Sequence, residues 1–160
     1  MPTSFSDVRT VCEIGFNAGH SSLLWLEANP KSIVYSFDIN HWKYTEPMVN
    51  YMKKTYPGRL NSCFGDSTVT VPYVAEQTNI KCDIAVIDGG HFDLVPLLDI
   101  INMRLMSHNE TLVFVDDIGQ VHVPGVLVAI DKLTKTKIID TVFICSNNTR
   151  RKSFGSFKYI

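Results

Sequence analysis

The sequence has no hydrophobic run long enough to cross a membrane. Its apolar runs, such as Ile84 to Ile87 and Leu112 to Val115, fall far short of the roughly 20 residues a bilayer requires. It has no excess of either charge, with 15 Lys and Arg against 16 Asp and Glu. No basic field is therefore available to hold a nucleic-acid backbone, and the cluster Arg150-Arg151-Lys152 is too short to supply one. The four cysteines, Cys12, Cys63, Cys82 and Cys145, show no C-x-x-C or Cys/His zinc spacing. Each lies in or beside an apolar run, so buried reduced thiols are expected. The segment Met1 to Arg9 lacks the charged and apolar regions of a secretory signal, which makes a cytoplasmic location the expectation. The triplets starting at Asn109 and Asn147 match glycosylation acceptors, a pattern common by chance. Repeats, low-complexity tracts and linkers are also missing. At 160 residues and 45% hydrophobic, the chain is too apolar for disorder and too short for two ordinary domains, so residues 1–160 are read as one domain.

What is present is an alternation of short β-branched runs with longer amphipathic stretches, the pattern of βαβ units. Strands are predicted over Arg9 to Ile14, Ser32 to Ile39, Arg59 to Phe64, Asp83 to Ile87 with Cys82 before it, and Thr111 to Val115. Between them helices are predicted over His20 to Ala28, over Met48 to Tyr56 behind a Thr45-Glu46-Pro47 start, and near Val71 to Gln77. The two most apolar strands, Asp83 to Ile87 and Thr111 to Val115, are expected to be covered on both faces, as in a parallel sheet. Leu94, Leu97, Leu98, Ile101 and Leu105 share helical spacing and predict a crossover helix that packs through them. A helix from Pro124 to about Leu133 follows. Lys137 to Cys145 and Phe154 to Tyr159, joined by the polar turn Ser146 to Ser153, then predict a closing antiparallel pair and bring the strand count to seven.

Ligands of open α/β sheets bind beyond the carboxyl ends of the strands. In this sequence those places are acidic. Asp38, Asp88, Asp116 and Asp117 end predicted strands, Asp66 follows one, and Glu13 sits near the end of the first, so six of the 16 acids fall on one rim. Any one of them could be a helix cap. Gathered together, they call for compensating cations: a bound metal, a cationic ligand, or both. The turn Glu13-Ile14-Gly15-Phe16-Asn17-Ala18-Gly19-His20-Ser21 is a glycine loop between a strand and a helix, which lets a ligand approach the backbone. Glu13 stands where the dinucleotide fingerprint has its first glycine, and a carboxylate there suits a pyrophosphate poorly but suits a ligand carrying an amino group and a sulfonium. Asp38 lies where an acid accepts the hydroxyls of a ribose in such sheets. The combination points to a nucleoside without phosphates.

These segments resemble the class I S-adenosylmethionine-dependent methyltransferases, and within them the metal-dependent small-molecule O-methyltransferase group that includes macrocin O-methyltransferase-like and cephalosporin hydroxylase-like proteins. The residues that carry the resemblance are Glu13 to Ser21, Ser36-Phe37-Asp38-Ile39, Gly65-Asp66-Ser67, Ile87-Asp88-Gly89-Gly90-His91, and Val115-Asp116-Asp117-Ile118 with Gly125-Val126. The resemblance implies a Rossmann-like, doubly wound, seven-stranded and mostly parallel α/β sheet with an antiparallel last strand. It implies S-adenosylmethionine as cofactor and methyl transfer to a hydroxyl of a small molecule such as a sugar, polyol or catechol. Glu13, Gly15 and Gly19 would then contact the methionine portion, with Asn17, Ala18, His20 and Ser21 in the same loop. Asp38 would hold the ribose hydroxyls and Asp66 with Ser67 the adenine edge, with Ile39 and Asp88 also among the cofactor-binding residues.

Methyl transfer to oxygen needs a deprotonated hydroxyl behind the methyl carbon. Asp88, Asp116 and Asp117 are hard oxygen ligands suited to Mg²⁺ or a similar cation, which lowers the pKa of a bound oxygen acid. His91, three residues after Asp88, is read as the general base because its reference pKa of about 6.5 suits proton abstraction near neutrality. A helix-capping role is its bland alternative. His20 is given a place near the cofactor, while His41, His108 and His122 are read as surface residues. Trp42 and Tyr44 are assigned equally to adenine stacking, the acceptor site or surface packing.

Relatives of this type carry helices before the first strand that cover the cofactor; here the first strand is predicted at Arg9. Either the sequence is a fragment, or a second copy or other partner supplies the cover, or the site is open and weakly active. Two competing readings therefore stand beside the enzyme: a nucleoside-binding pseudoenzyme, and a NAD-dependent oxidoreductase, the latter disfavoured by Glu13.

Overall fold

The structure, a computed structural model, describes residues 5–119, 124–147 and 152–160. His122, residues 148–151 of the last turn, and with them Arg150 and Arg151, lie outside the described residues. Twelve regular elements run in the order β1 (Thr10–Ile14), α1 (His20–Ala28), β2 (Ile33–Asp38), α2 (Thr45–Thr55), β3 (Leu60–Phe64), α3 (Ser67–Gln77), β4 (Cys82–Ile87), α4 (Val95–Met103), β5 (Ser107–Val115), α5 (Pro124–Lys135), β6 (Ile139–Asn147) and β7 (Lys152–Tyr159). The sheet order is β3-β2-β1-β4-β5-β7-β6. The first five strands pair in parallel and β7 runs antiparallel to both neighbours. This is the doubly wound, mostly parallel sheet with an antiparallel last strand that the sequence predicts.

Alternate residues of the strands feed two cores. Val11, Val34 and Ile84 meet Leu26 of α1 with Val49 and Met52 of α2. Cys12, Ile14, Phe37, Ala85, Ile87, Val113 and Phe157 meet Val71 of α3, Ile100 and Met103 of α4, and Val126, Ala129, Ile130 and Leu133 of α5. α3 starts at Ser67, a turn earlier than predicted, because Asp66 caps it by accepting the Thr68 N–H at 2.9 Å. Pro72 sits inside α3 and has no N–H for the carbonyl of Thr68; the Asn102 amide donates to that carbonyl at 3.3 Å.

The phase of α4 differs from the prediction. Pro96, Asp99, Ile100 and Met103 face inward, whereas Leu94, Leu98, Ile101 and Leu105 are exposed. Both sets satisfy the same spacing, and counting apolar residues favours the wrong one because the buried set contains an aspartate. The expectation that β5 is covered on both faces also fails. On the side of α1 and α2, Phe114 packs edge-to-face on Phe143, and Phe143 on Phe154, with Phe143 and Phe154 both exposed. Four buried thiols are not found either. Cys12 and Cys82, 70 residues apart, form a disulfide with Cα atoms 5.8 Å apart, and Cys145 is exposed. The sheet order explains the pairing, since β1 and β4 are neighbours although three strand–helix units separate the two cysteines in sequence. None of the described helices is long and apolar enough to cross a membrane.

Candidate active site

The strand order reverses between β1 and β4, and the carboxyl ends of these strands open into a cleft of about 380 Å³. Gly15, Asn17, Asp38, Ile39, Asp66, Ser67, Asp88 and His91 line it, together with Ile14, Phe37, His41, Trp42, Gly89, Gly90 and Val95. Eight predicted site residues therefore share one hollow. His41, read as a surface residue, belongs to its wall, with its ring 4.9 Å from that of Trp42.

Asp38 is held by main chain. One carboxylate oxygen accepts the Asn17 N–H at 2.8 Å and the other the Asn40 N–H at 2.7 Å. Asn17 and Asn40 adopt left-handed backbone, with φ of 51° and 60°, a region asparagine tolerates better than most residues. Tyr44 donates its hydroxyl to Asn17 Oδ1 at 2.7 Å, so the residue assigned by sequence to stacking or packing braces the loop. Each Asp38 oxygen keeps acceptor capacity for a ligand hydroxyl. Asp66 is exposed at the rim, and the Thr68 hydroxyl and N–H hold its carboxyl below the usual carboxylate range.

Glu13 takes a different place from the one expected. It is fully buried and accepts hydrogen bonds from the hydroxyls of Ser21 at 2.8 Å, Ser36 at 2.8 Å and Ser22. Burial raises its pKa, opposed by these hydroxyls. Glu13 and Ser21 thus brace the glycine loop from behind, and neither lines the cleft; nor do Ala18, Gly19 and His20. The electrostatic argument against a pyrophosphate loses its footing, because this carboxyl does not face the ligand space. Gly15 is needed for a chain contact: its φ is 99°, and a Cβ there would lie 2.0 Å from the carbonyl oxygen of Asp88.

Asp88 and His91 of the cleft lining and Asp117 bring ligand atoms within 4.8 Å of one another. His91 Nε2 lies 3.2 Å from Asp117 Oδ2 and 3.9 Å from Asp88 Oδ1. The pKa of His91 is raised, first by the nearby Asp88 carboxylate and further by the charges of Asp117 and Asp116, against an opposing effect of burial. Asp116, predicted as a ligand, is not in this cluster; its Oδ1 accepts the N–H of Asp117 at 2.8 Å, and Asp117 has a left-handed φ of 59°. The imidazole predicted as a base stands where the third ligand was expected. Gly125 seats the first turn of α5 against this corner, since a Cβ there would come 2.6 Å from the His91 carbonyl oxygen.

One residue missed by sequence lies beneath the cleft. Asp99 of α4 is fully buried, accepts the Ser67 hydroxyl at 2.7 Å, and is pushed up to about 6 by burial. Only its aberrant position within an otherwise apolar inward set of α4 could have flagged it.

The sheet, its switch-point cleft and the acids around it define a Rossmann-like domain of the class I methyltransferase type. A family profile described as "Methyltransferase domain" matches residues 12–118, and the chain belongs to that family. An S-adenosylhomocysteine-bound methyltransferase from Podospora anserina superposes with a TM-score of 0.75 at 12% identity, over 95% of this chain and 72% of that one. An O-methyltransferase from Bacillus cereus in complex with S-adenosylhomocysteine gives 0.76 at 10%, over 96% and 74%. A methyltransferase of the mycinamycin biosynthetic pathway, in complex with Mg and S-adenosylhomocysteine, gives 0.67 at 15%, over 97% and 47%. At such identities the likeness is one of fold. No curated protein matches the sequence significantly.

Proposed function

We propose that this domain binds S-adenosylmethionine in the cleft and directs its methyl group to a hydroxyl of a small molecule, assisted by a divalent cation such as Mg²⁺. The observation that carries the reading is the pairing of a backbone-held Asp38 with the Asp88-His91-Asp117 cluster, Asp38, Asp88 and His91 lining one cleft. The solved structures described with S-adenosylhomocysteine, one of them also with Mg, support it.

The donor set fits a cation. Two carboxylates flank an imidazole, and the field that raises the pKa of His91 is one that draws positive charge, whether as a proton or as a metal ion. A divalent cation held there would lower the pKa of an acceptor hydroxyl and orient it, while S-adenosylmethionine supplies an electrophilic methyl group that departs from a neutral thioether. The chain's own residues do the remaining work. Asp38 accepts the ribose hydroxyls, and Ile39, His41 and Trp42 wall the nucleoside from solvent. His91 Nε2 cannot carry a proton and a cation together, so its role moves from base towards ligand, and protons compete with metal at this corner.

The test is transfer of labelled methyl from S-adenosylmethionine to a panel of sugars, polyols and catechols, with and without EDTA. Transfer that EDTA abolishes and Mg²⁺ restores is expected. Chelator-insensitive transfer would remove the cation from the scheme, and cofactor binding without any turnover would favour the pseudoenzyme.

A further inference from the structure

β5 is interrupted near its start. Ser107 pairs with Cys82 and Leu112 with Ile84, so the stretch between Ser107 and Leu112 is longer than the strand it faces and bulges from the ladder. Most of the bulge is tied down. The buried Thr111 hydroxyl donates to the Cys82 carbonyl at 2.5 Å and accepts the His108 N–H at 2.8 Å. The His108 ring accepts the Glu110 N–H at 3.1 Å and lies 3.3 Å from Asp83. Asn109 is different: it is exposed, and no hydrogen bond of its amide is found among the described residues.

Asn109-Glu110-Thr111 is an N-x-T acceptor triplet without proline at its centre. Hydrogen bonding within the fold accounts for Thr111 but gives no account of Asn109. A second observation, from other residues, bears on the compartment. Cys12 and Cys82 are fully buried and joined across β1 and β4. Disulfides form and persist in oxidising compartments and are rare where glutathione keeps thiols reduced. In eukaryotic cells the compartment that makes them is also the one that attaches glycans to N-x-T asparagines. We propose that Asn109 carries an N-linked oligosaccharide and that the chain folds in an oxidising secretory compartment, not in the cytoplasm expected from the sequence.

The transfer forms a bond from Asn109 Nδ2 to C1 of the first sugar and breaks the bond from that carbon to the diphosphate of a lipid-linked oligosaccharide. The lipid diphosphate leaves with the bonding electrons, and the amide loses one proton. The disulfide forms as the two thiols together give two electrons and two protons to a disulfide-exchange oxidant. Burial sets the order of events. In the fold the Thr111 hydroxyl is engaged by Cys82 and His108, so the triplet is read before β5 pairs. A glycan on Asn109 then stands at the amino end of β5, away from the carboxyl ends that open into the cleft.

The test is expression of the complete natural reading frame in animal cells, with immunoblotting before and after a peptide N-glycosidase. A glycosidase-sensitive mobility step is expected. Asn109→Gln exchanges one exposed amide for another and should remove one step, whereas Thr111→Ser keeps an acceptor hydroxyl and should retain it. Modification at Asn147 would add a separate step that Asn109→Gln leaves in place. Denatured without reductant, the secreted chain should take up two equivalents of alkylating reagent, at Cys63 and Cys145, and four after reduction. The absence of any sensitive step, or an unchanged pattern in Asn109→Gln, overturns the glycan at Asn109. Four reactive thiols before reduction overturn the oxidising compartment. Either failure leaves the methyltransferase reading standing, because neither Asn109 nor the disulfide lines the cleft.

Discussion

Asp99→Asn should stabilise the domain at alkaline pH and leave it unchanged in acid. The carboxyl is displaced from its ordinary value of 3.8 to about 6, chiefly by burial. Between those two values the folded chain binds the proton that the unfolded chain has released, so stability falls as pH rises through the interval. Above both values the charged, half-bonded carboxyl costs the fold up to about 3 kcal/mol, from roughly two pKa units at about 1.4 kcal/mol each. Asparagine keeps the shape and never ionises. At about 3 °C per kcal/mol for a domain of this size, and allowing for relaxation around the charge, Asp99→Asn should melt about 3–9 °C above wild type at pH 8. At pH 3, below both values, the two should melt nearly together. Thermal denaturation followed by circular dichroism across pH 3–8 reads the difference directly, because every other titrating group is common to both proteins. A difference that does not change with pH, or a variant less stable than wild type at pH 8, would refute the reasoning.

Asp38→Ala should weaken S-adenosylhomocysteine binding at least about tenfold by calorimetry, since it removes the proposed acceptor for ribose hydroxyls and releases the Asn17 backbone. Asp117→Ala should spare that binding yet abolish the rise in melting temperature produced by Mg²⁺, whereas Asp116→Ala should retain the Mg²⁺ response because Asp116 lies outside the converging three. Gly15→Ala should destabilise the fold by about 3 kcal/mol or more, lowering the melting temperature by roughly 10 °C, because a left-handed backbone and a clash with the Asp88 carbonyl act together. A well-folded Gly15→Ala protein with wild-type melting would contradict the contact.

The parts of this molecule that sequence made legible are those governed by local chemistry. β-branched runs and Pro or Gly stops located the elements, and acids at strand ends located the rim, because a parallel sheet points those ends the same way. Side-chain direction was less accessible. Glu13 and Asp38 are both acids at the end of adjacent strands, yet one turns into three serine hydroxyls and the other towards the cleft. Asp116 and Asp117 are neighbours, and a left-handed residue turns only the second towards His91. The inward phase of α4 escaped a count of leucines because α3 and α5 flank that helix and the aspartate on its buried side serves Ser67. Pairing of Cys12 with Cys82 depended on strand order, which no local pattern encodes.

The glycine at the tip of β1 acts as a gauge. With no side chain between it and the Asp88 carbonyl, the thickness of two polypeptide backbones sets the spacing between the loop beside Asp38 and the corner that carries His91. Under the methyltransferase reading, exchanging side chains around the opening retunes which molecules enter, while the span from donor sulfur to receiving oxygen stays bound to that contact.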